Sequence, residues 1–152
     1  MAKASEETAA EREAARAALQ RAHVKKNDTE DAITQAVVDA RAVQVTWREI
    51  ATELGVQQPN ATRKYKPYIG QMQPKNRWEN EADPKGPALI AVRHAVKAHE
   101  DAKRAEVQAV ADARNHDVTW REIAEDVGMA EPNAFVKYSP MLEEKRTVTV
   151  RE

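Results

Sequence analysis

Val45-Thr46-Trp47-Arg48-Glu49-Ile50-Ala51 occurs twice in this chain, returning letter for letter 73 residues later as Val118-Thr119-Trp120-Arg121-Glu122-Ile123-Ala124. At the same offset Gly55 meets Gly128, Pro59-Asn60-Ala61 meets Pro132-Asn133-Ala134, Lys64-Tyr65 meets Lys137-Tyr138, and Pro67 meets Pro140. Upstream, Gln35-Ala36-Val37 and Asp39-Ala40-Arg41 recur as Gln108-Ala109-Val110 and Asp112-Ala113-Arg114. Identity at one fixed spacing marks an internal duplication.

Each copy encodes two short helices. Thr46 followed three residues on by Glu49 is a capping box, and Val45 is placed to staple onto Ile50, so a helix starts at Trp47. Trp47, Ile50, Ala51 and Leu54 recur at i, i+3, i+4 and i+7 and form one apolar face. Gly55 suits the left-handed residue that ends this helix. Pro59 fits the first turn of a second helix, which should stop before Pro67. Ahead of the pair, Ile33, Ala36, Val37 and Ala40 form the stripe of a supporting helix, with Val107, Ala109, Val110 and Ala113 as its counterpart.

This arrangement resembles the helix-turn-helix superfamily of DNA-binding domains, in particular the compact bacterial and phage kind similar to the DNA-binding end of sigma factors. The resemblance rests on the small residue of the first helix, the turn glycine and the small residue of the second. These are Ala51, Gly55 and Ala61 in copy one, and Ala124, Gly128 and Ala134 in copy two. It covers about a third of the chain. It implies that the second helix of each pair enters a major groove with its outward face.

Composition agrees with an all-α fold: alanine and charge dominate, with four Gly and one Phe among 152 residues. The absence of Cys leaves no disulfide framework and no thiolate metal site, which suits a reducing compartment. No run approaches a membrane span, and the first residues lack a signal-peptide core. The expectation is a cytoplasmic, nucleoid-associated protein with no membrane partner. The net charge of −1 conceals an uneven distribution. From Val45 to Arg77 six basic residues face two acids, whereas from Val118 to Val150 four face six. Only the first copy carries the basic footprint of a phosphate binder.

In chain order the expected divisions are an N-terminal helical extension (1–27), a first helix-turn-helix unit (28–75), a linker (76–87), a second unit with a long leading helix (88–143) and a C-terminal tail (144–152). Asn27-Asp28-Thr29 reads as a break or fresh cap. The extension offers little beyond alanine except Leu19 and Val24, so it holds only if it packs on the body or on a second chain. The segment from Gly70 to Pro87 is rich in Pro and Gly, and its Trp78 is expected to pack on a neighbouring helix. Pro87 opens a helical pattern reaching about Asn115, a possible surface for self-association. Pro67-Tyr68-Ile69 and Pro140-Met141-Leu142 read as apolar returns that close each core. Thr147 to Arg151 alternates like a strand but has no strand partner, and is read as a tail.

With Ala61 inward, Gln57, Gln58, Asn60, Thr62, Arg63 and Lys66 face outward in copy one. Gln and Asn pair with adenine, Arg with guanine, and the Thr methyl meets thymine. Arg48, Lys64, Lys75 and Arg77 are expected to contact phosphates. In copy two the corresponding positions are Ala130, Glu131, Asn133, Phe135, Val136 and Ser139, with Arg121 and Lys137 alongside. Phe135 and Val136 read as an apolar contact patch for DNA or for a protein partner.

No catalytic, cofactor or metal site is expected. There is no Gly-rich phosphate loop, and His94 and His99, five residues apart, lie on different helix faces. The leading expectation is a sequence-specific double-stranded DNA binder, a transcriptional regulator with a strong and a weaker head. A partition or nucleoid-organising protein uses the same chemistry. The rival class is a helical adaptor, anti-repressor-like, that captures a partner through copy two.

Overall fold

The computed structural model describes the backbone of residues 2–151 and the side chains of residues 8–142. Among these the chain is all-helical, with no strand: α1 (Ala2–Ala42), α2 (Trp47–Leu54), α3 (Gln58–Tyr65), a 3-10 turn (Lys66–Tyr68), α4 (Lys85–Asn115), α5 (Trp120–Asp126) and α6 (Glu131–Arg151). No helix of the described residues is long and apolar enough to cross a membrane.

Contacts divide the chain into two units, but not in sequence order. The central unit is Asn27–Asp101; the terminal unit joins residues up to Lys26 with those from Ala102 onward. Each long helix therefore gives its first part to one unit and its second part to the other. This corrects the expected succession of 1–27, 28–75, 76–87 and 88–143.

The central core gathers Ile33, Val37 and Ala40 of α1, Val45, Ile50 of α2, Tyr65 of α3, and Ala88 and Val92 from the start of α4. The terminal core gathers Val110, Ala113, Val118, Ile123 of α5, and Ala134 and Tyr138 of α6, closed by Ala15 and Leu19 of α1. Ala15, Leu19 and Ala22 lie 73 residues before Ala88, Val92 and Ala95, and both trios occupy the same station in their cores. The alanine-rich start of α1 thus packs on the second copy. Burying Leu19 and Val92 fully contributes about 1.5–3 kcal/mol each.

This packing explains why the expected break at Asn27-Asp28-Thr29 does not form. α1 is continuous through it, and Thr29 instead meets His99 of α4, Oγ1 to Nδ1 3.0 Å. The linker is shorter than 76–87, because Lys85, Gly86 and Pro87 form the first turn of α4, where proline is tolerated. Trp78 packs against the central core as expected.

Helix ends repeat at the residue level. α1 finishes with Gln44 left-handed at φ 69°, Val45 N donating to the Ala40 carbonyl and Gln44 N to that of Arg41. α4 does the same with Asp117 at φ 62° and the carbonyls of Ala113 and Arg114. This is the two-bond Schellman closure, made here by residues other than glycine. Gly55 at φ 72° and Gly128 at φ 65° make the same closure after the next helices.

Pro67 and Pro140 have opposite outcomes. After Pro67 the 3-10 turn leads to Gly70 at φ 89°, and the helix is over. Pro140 sits inside α6, which continues through Glu143, Glu144, Lys145 and Arg146 to Arg151. Good helix formers follow it and no glycine does, so of the expected tail 144–152 the residues up to Arg151 are helix, and 152 lies outside the described residues. The expected apolar return also fails in the central unit: Tyr68 and Ile69 are 42% and 41% exposed. The start of α4 closes that core in their place. Leu142 does pack on the terminal core, while Met141 is exposed.

Candidate nucleic-acid interface

In the central unit Thr46 caps α2 by accepting from the Glu49 backbone N–H at 3.1 Å, and its hydroxyl donates to the Glu49 carboxylate at 3.2 Å. Arg41, from the last turn of α1, donates to the Val45 carbonyl at 2.8 Å and lies 5.0 Å over the Trp47 ring. These contacts fix the start of α2, whose Ile50 and Ala51 are buried. α3 is then held by Ala61 and Tyr65. Its remaining side chains face away from that core. Gln57, Gln58, Asn60, Arg63, Lys64 and Lys66 are exposed, while Thr62 is half-buried with its hydroxyl donating to the Gln58 carbonyl at 3.0 Å. Lys64 lies 5.3 Å over the Tyr65 ring. Arg48 is exposed on α2.

The acids near this face are already engaged. Glu53 takes two hydrogen bonds from Arg93 of α4, at 3.0 and 2.9 Å, and that guanidinium draws its pKa down. No acid occurs in α3. Its outward surface is cationic and amide-rich without a compensating carboxylate.

Lys75 and Arg77, both exposed, lie beside a buried acid. Asp39 of α1 is buried and accepts from the Lys75 backbone N–H at 2.7 Å and from Gln35 at 2.8 Å. Arg77 reaches its other oxygen at 3.0 Å and lies 5.7 Å over Trp78. Arg77 thus pairs with Asp39 and keeps its side chain 45% exposed. Sequence reading missed Asp39 because an Asp on an apolar helical stripe carries no mark of burial.

The terminal unit repeats the scaffold. Thr119 and Glu122 form a reciprocal capping box, and Arg114 donates to the Val118 carbonyl at 2.9 Å while lying 5.1 Å over Trp120. The outward face of α6 differs. Glu131, Asn133 and Lys137 are exposed, and so are Phe135 at 50% and Val136 at 70%. One edge of Phe135 rests on Trp120, the rings perpendicular with centroids 5.4 Å apart. Arg121 is exposed on α5. The acids of α5 turn toward α1: Glu122 takes Arg12 and Arg16, the latter at 3.1 Å, and Asp126 takes Arg16 at 2.9 and 3.0 Å. The hydrogen bond from the Thr119 backbone, then that from Arg12, brings the Glu122 pKa down to about 2. The excess acid counted from Val118 to Val150 is thus largely offset by arginines from the start of the chain.

A second buried carboxylate also escaped the sequence reading. Glu106 of α4 is 2% exposed. It accepts from the Tyr138 hydroxyl, lies 2.8 Å from His23 Nδ1 and 3.5 Å from Lys26 Nζ. Burial pushes its pKa up, but the hydrogen bonds from Tyr138 and His23 and the Lys26 charge outweigh it and hold it below the usual value. Burial, then the Glu106 carboxylate, pushes the Tyr138 phenol up. Among the described residues no group of three His, Cys, Asp or Glu side chains is placed to hold a metal ion.

Comparison with known proteins finds no matching family model, no matching curated protein and no matching solved structure.

Proposed function

We propose that this chain is a sequence-specific double-stranded DNA-binding protein, a transcriptional regulator acting on the nucleoid, in which two helix-turn-helix heads arose by duplication. One observation carries the reading: α3 rests on the core through Ala61 and Tyr65 and presents Gln57, Gln58, Asn60, Arg63, Lys64 and Lys66 to solvent with no acid among them. Amide and guanidinium groups on one helical face match the donor and acceptor pattern of base edges in a major groove. Arg63 and Gln58 are assigned to bases, Arg48, Lys64 and Lys66 to phosphates. Partition or nucleoid organisation would use the same surface.

The second head is read as a weaker one. Phe135 and Val136 stand where copy one has Thr62 and Arg63. Their exposure favours a second reading for that head alone, capture of a protein partner in the manner of an adaptor.

Fluorescence anisotropy with mixed-sequence duplex tests the proposal. Affinity should fall steeply with salt, since cations that neutralise phosphates release counterions. At a site selected from a random pool, Arg63→Ala should cost on the order of 1–3 kcal/mol and relax one base position. Absence of retained duplex at low ionic strength rejects the proposal.

A further inference from the structure

A cleft in the central unit belongs neither to the α3 surface nor to the core. It has a volume of about 320 Å³ and is bounded by Val38, Arg41, Ala42, Ile69, Met72 and Pro74, with Gly70 and Gln73 at its edge. At the ~30 Å³ that a water-sized group occupies, it has room for about ten non-hydrogen atoms. That lies at the small end of ligand sites, which are mostly apolar with a few fixed polar groups.

Arg41 is the one charged residue among those that bound it. Its guanidinium donates to the Val45 carbonyl and lies over Trp47, and among the described residues it has no carboxylate partner. A half-buried guanidinium held by one carbonyl and one ring keeps donors in its planar fork for a bidentate anion. The aliphatic wall is formed by Val38, Ile69, Met72 and Pro74. Ile69, part of the segment expected to close the core, instead stands half in solvent beside this cleft.

We propose that the cleft binds a small apolar monocarboxylate, its carboxylate on Arg41 and its hydrocarbon part against Ile69 and Met72. Such a ligand touches the group that orients Trp47, the first residue of α2, and so reports directly to the helix pair.

The test uses the full-length protein with octanoate as probe and octanol as control, followed by the indole N–H signals of Trp47, Trp78 and Trp120 in NMR. Octanoate should saturate by about 10 mM, an affinity suited to a ligand of this size. It should shift the Trp47 signal, leave that of Trp120 in place, and bind at least tenfold more tightly than octanol. Arg41→Gln should remove the preference for the acid. Ala42→Phe, at an exposed position on the rim, should block both ligands without unfolding the protein. Equal binding of acid and alcohol, no saturable shift, or binding undisturbed by Ala42→Phe overturns the site. None of these outcomes depends on DNA binding, which the anisotropy measurement judges separately.

Discussion

Ile33 and Glu106 stand 73 residues apart, at the same place in the two units, and both are buried. In the central unit Ile33 shares an apolar core with Tyr65. In the terminal unit Glu106 hydrogen-bonds Tyr138 and draws in His23 and Lys26, where the central unit has Val96 and His99. One scaffold therefore anchors its second helix in two ways, by hydrocarbon contact and by a charged network. Such a network holds only while all its members are present, because a buried carboxylate without partners is costly. The outward faces diverge in the opposite sense, polar on α3 and partly apolar on α6. The two units thus differ both in what anchors the second helix and in what its outward face presents.

Exchanging the two residues is the most severe way to test this. Ile33→Glu buries a carboxylate where Val96 replaces His23 and where His99, in place of Lys26, is engaged by Thr29, and should cost on the order of 3–5 kcal/mol in urea denaturation. Glu106→Ile removes the acid and lets His23 and Lys26 turn to water, and should stay within about 1 kcal/mol of the parent or exceed it. Tolerance of Ile33→Glu would show that the cores are less different than their residues.

Acid should separate the units more gently. Glu106 and Glu122 are both held below their ordinary value of 4.5. A depressed carboxylate stabilises fully above its unfolded pKa and loses that contribution as pH falls through the folded one. Between about pH 4.5 and 2 the terminal unit should therefore weaken, which Trp120 emission would follow in a protein with Trp47 and Trp78 replaced by Phe. Glu106→Ile should make that transition less steep. In the central unit the depressed Glu53 pairs with a largely exposed Arg93, which is worth little. A Trp47 transition preceding that of Trp120 would contradict the comparison.

The smallest effect concerns the helix ends. Gln44 occupies a left-handed conformation that glycine adopts without steric cost, so Gln44→Gly should raise stability by about 0.5–1 kcal/mol in thermal melts. Asp117→Gly should gain less, since Asp tolerates that region better. Equal gains would mean that residue type does not distinguish the two closures.

Local signals in the sequence were read correctly where the physics is local. The Thr caps, the Gly55 and Gly128 corners, the stripes around Ile50 and Ile123 and the outward face of α3 all follow from residues within a turn or two of one another. What escaped depends on partners distant in the chain. The register of Ala15, Leu19 and Ala22 with Ala88, Val92 and Ala95 is masked by alanine, which recurs throughout α1. Asn27-Asp28-Thr29 looks like a cap in isolation, and packing over both flanks carries the helix across it. The pairing of Arg77 with Asp39 joins residues 38 apart, and neither carries a local mark of it. Glu106 gives no sign of burial, because its partners His23, Lys26 and Tyr138 lie on α1 and α6. Among the candidate contacts, Gln57, Gln58, Asn60, Arg63, Lys64 and Lys66 share one exposed stretch.

The exchange of helix segments also sets an order of events during synthesis. The helix pair from Trp47 to Tyr65 lacks the side chains that seal it until Ala88 and Val92 have left the ribosome. The start of α1, made first, waits for Tyr138 before its leucine has a complete site. Both closures join segments far apart in the chain, which slows folding relative to helical proteins built from neighbours. A nascent chain halted near residue 80 would carry an unsealed apolar face, the kind of surface that chaperones bind.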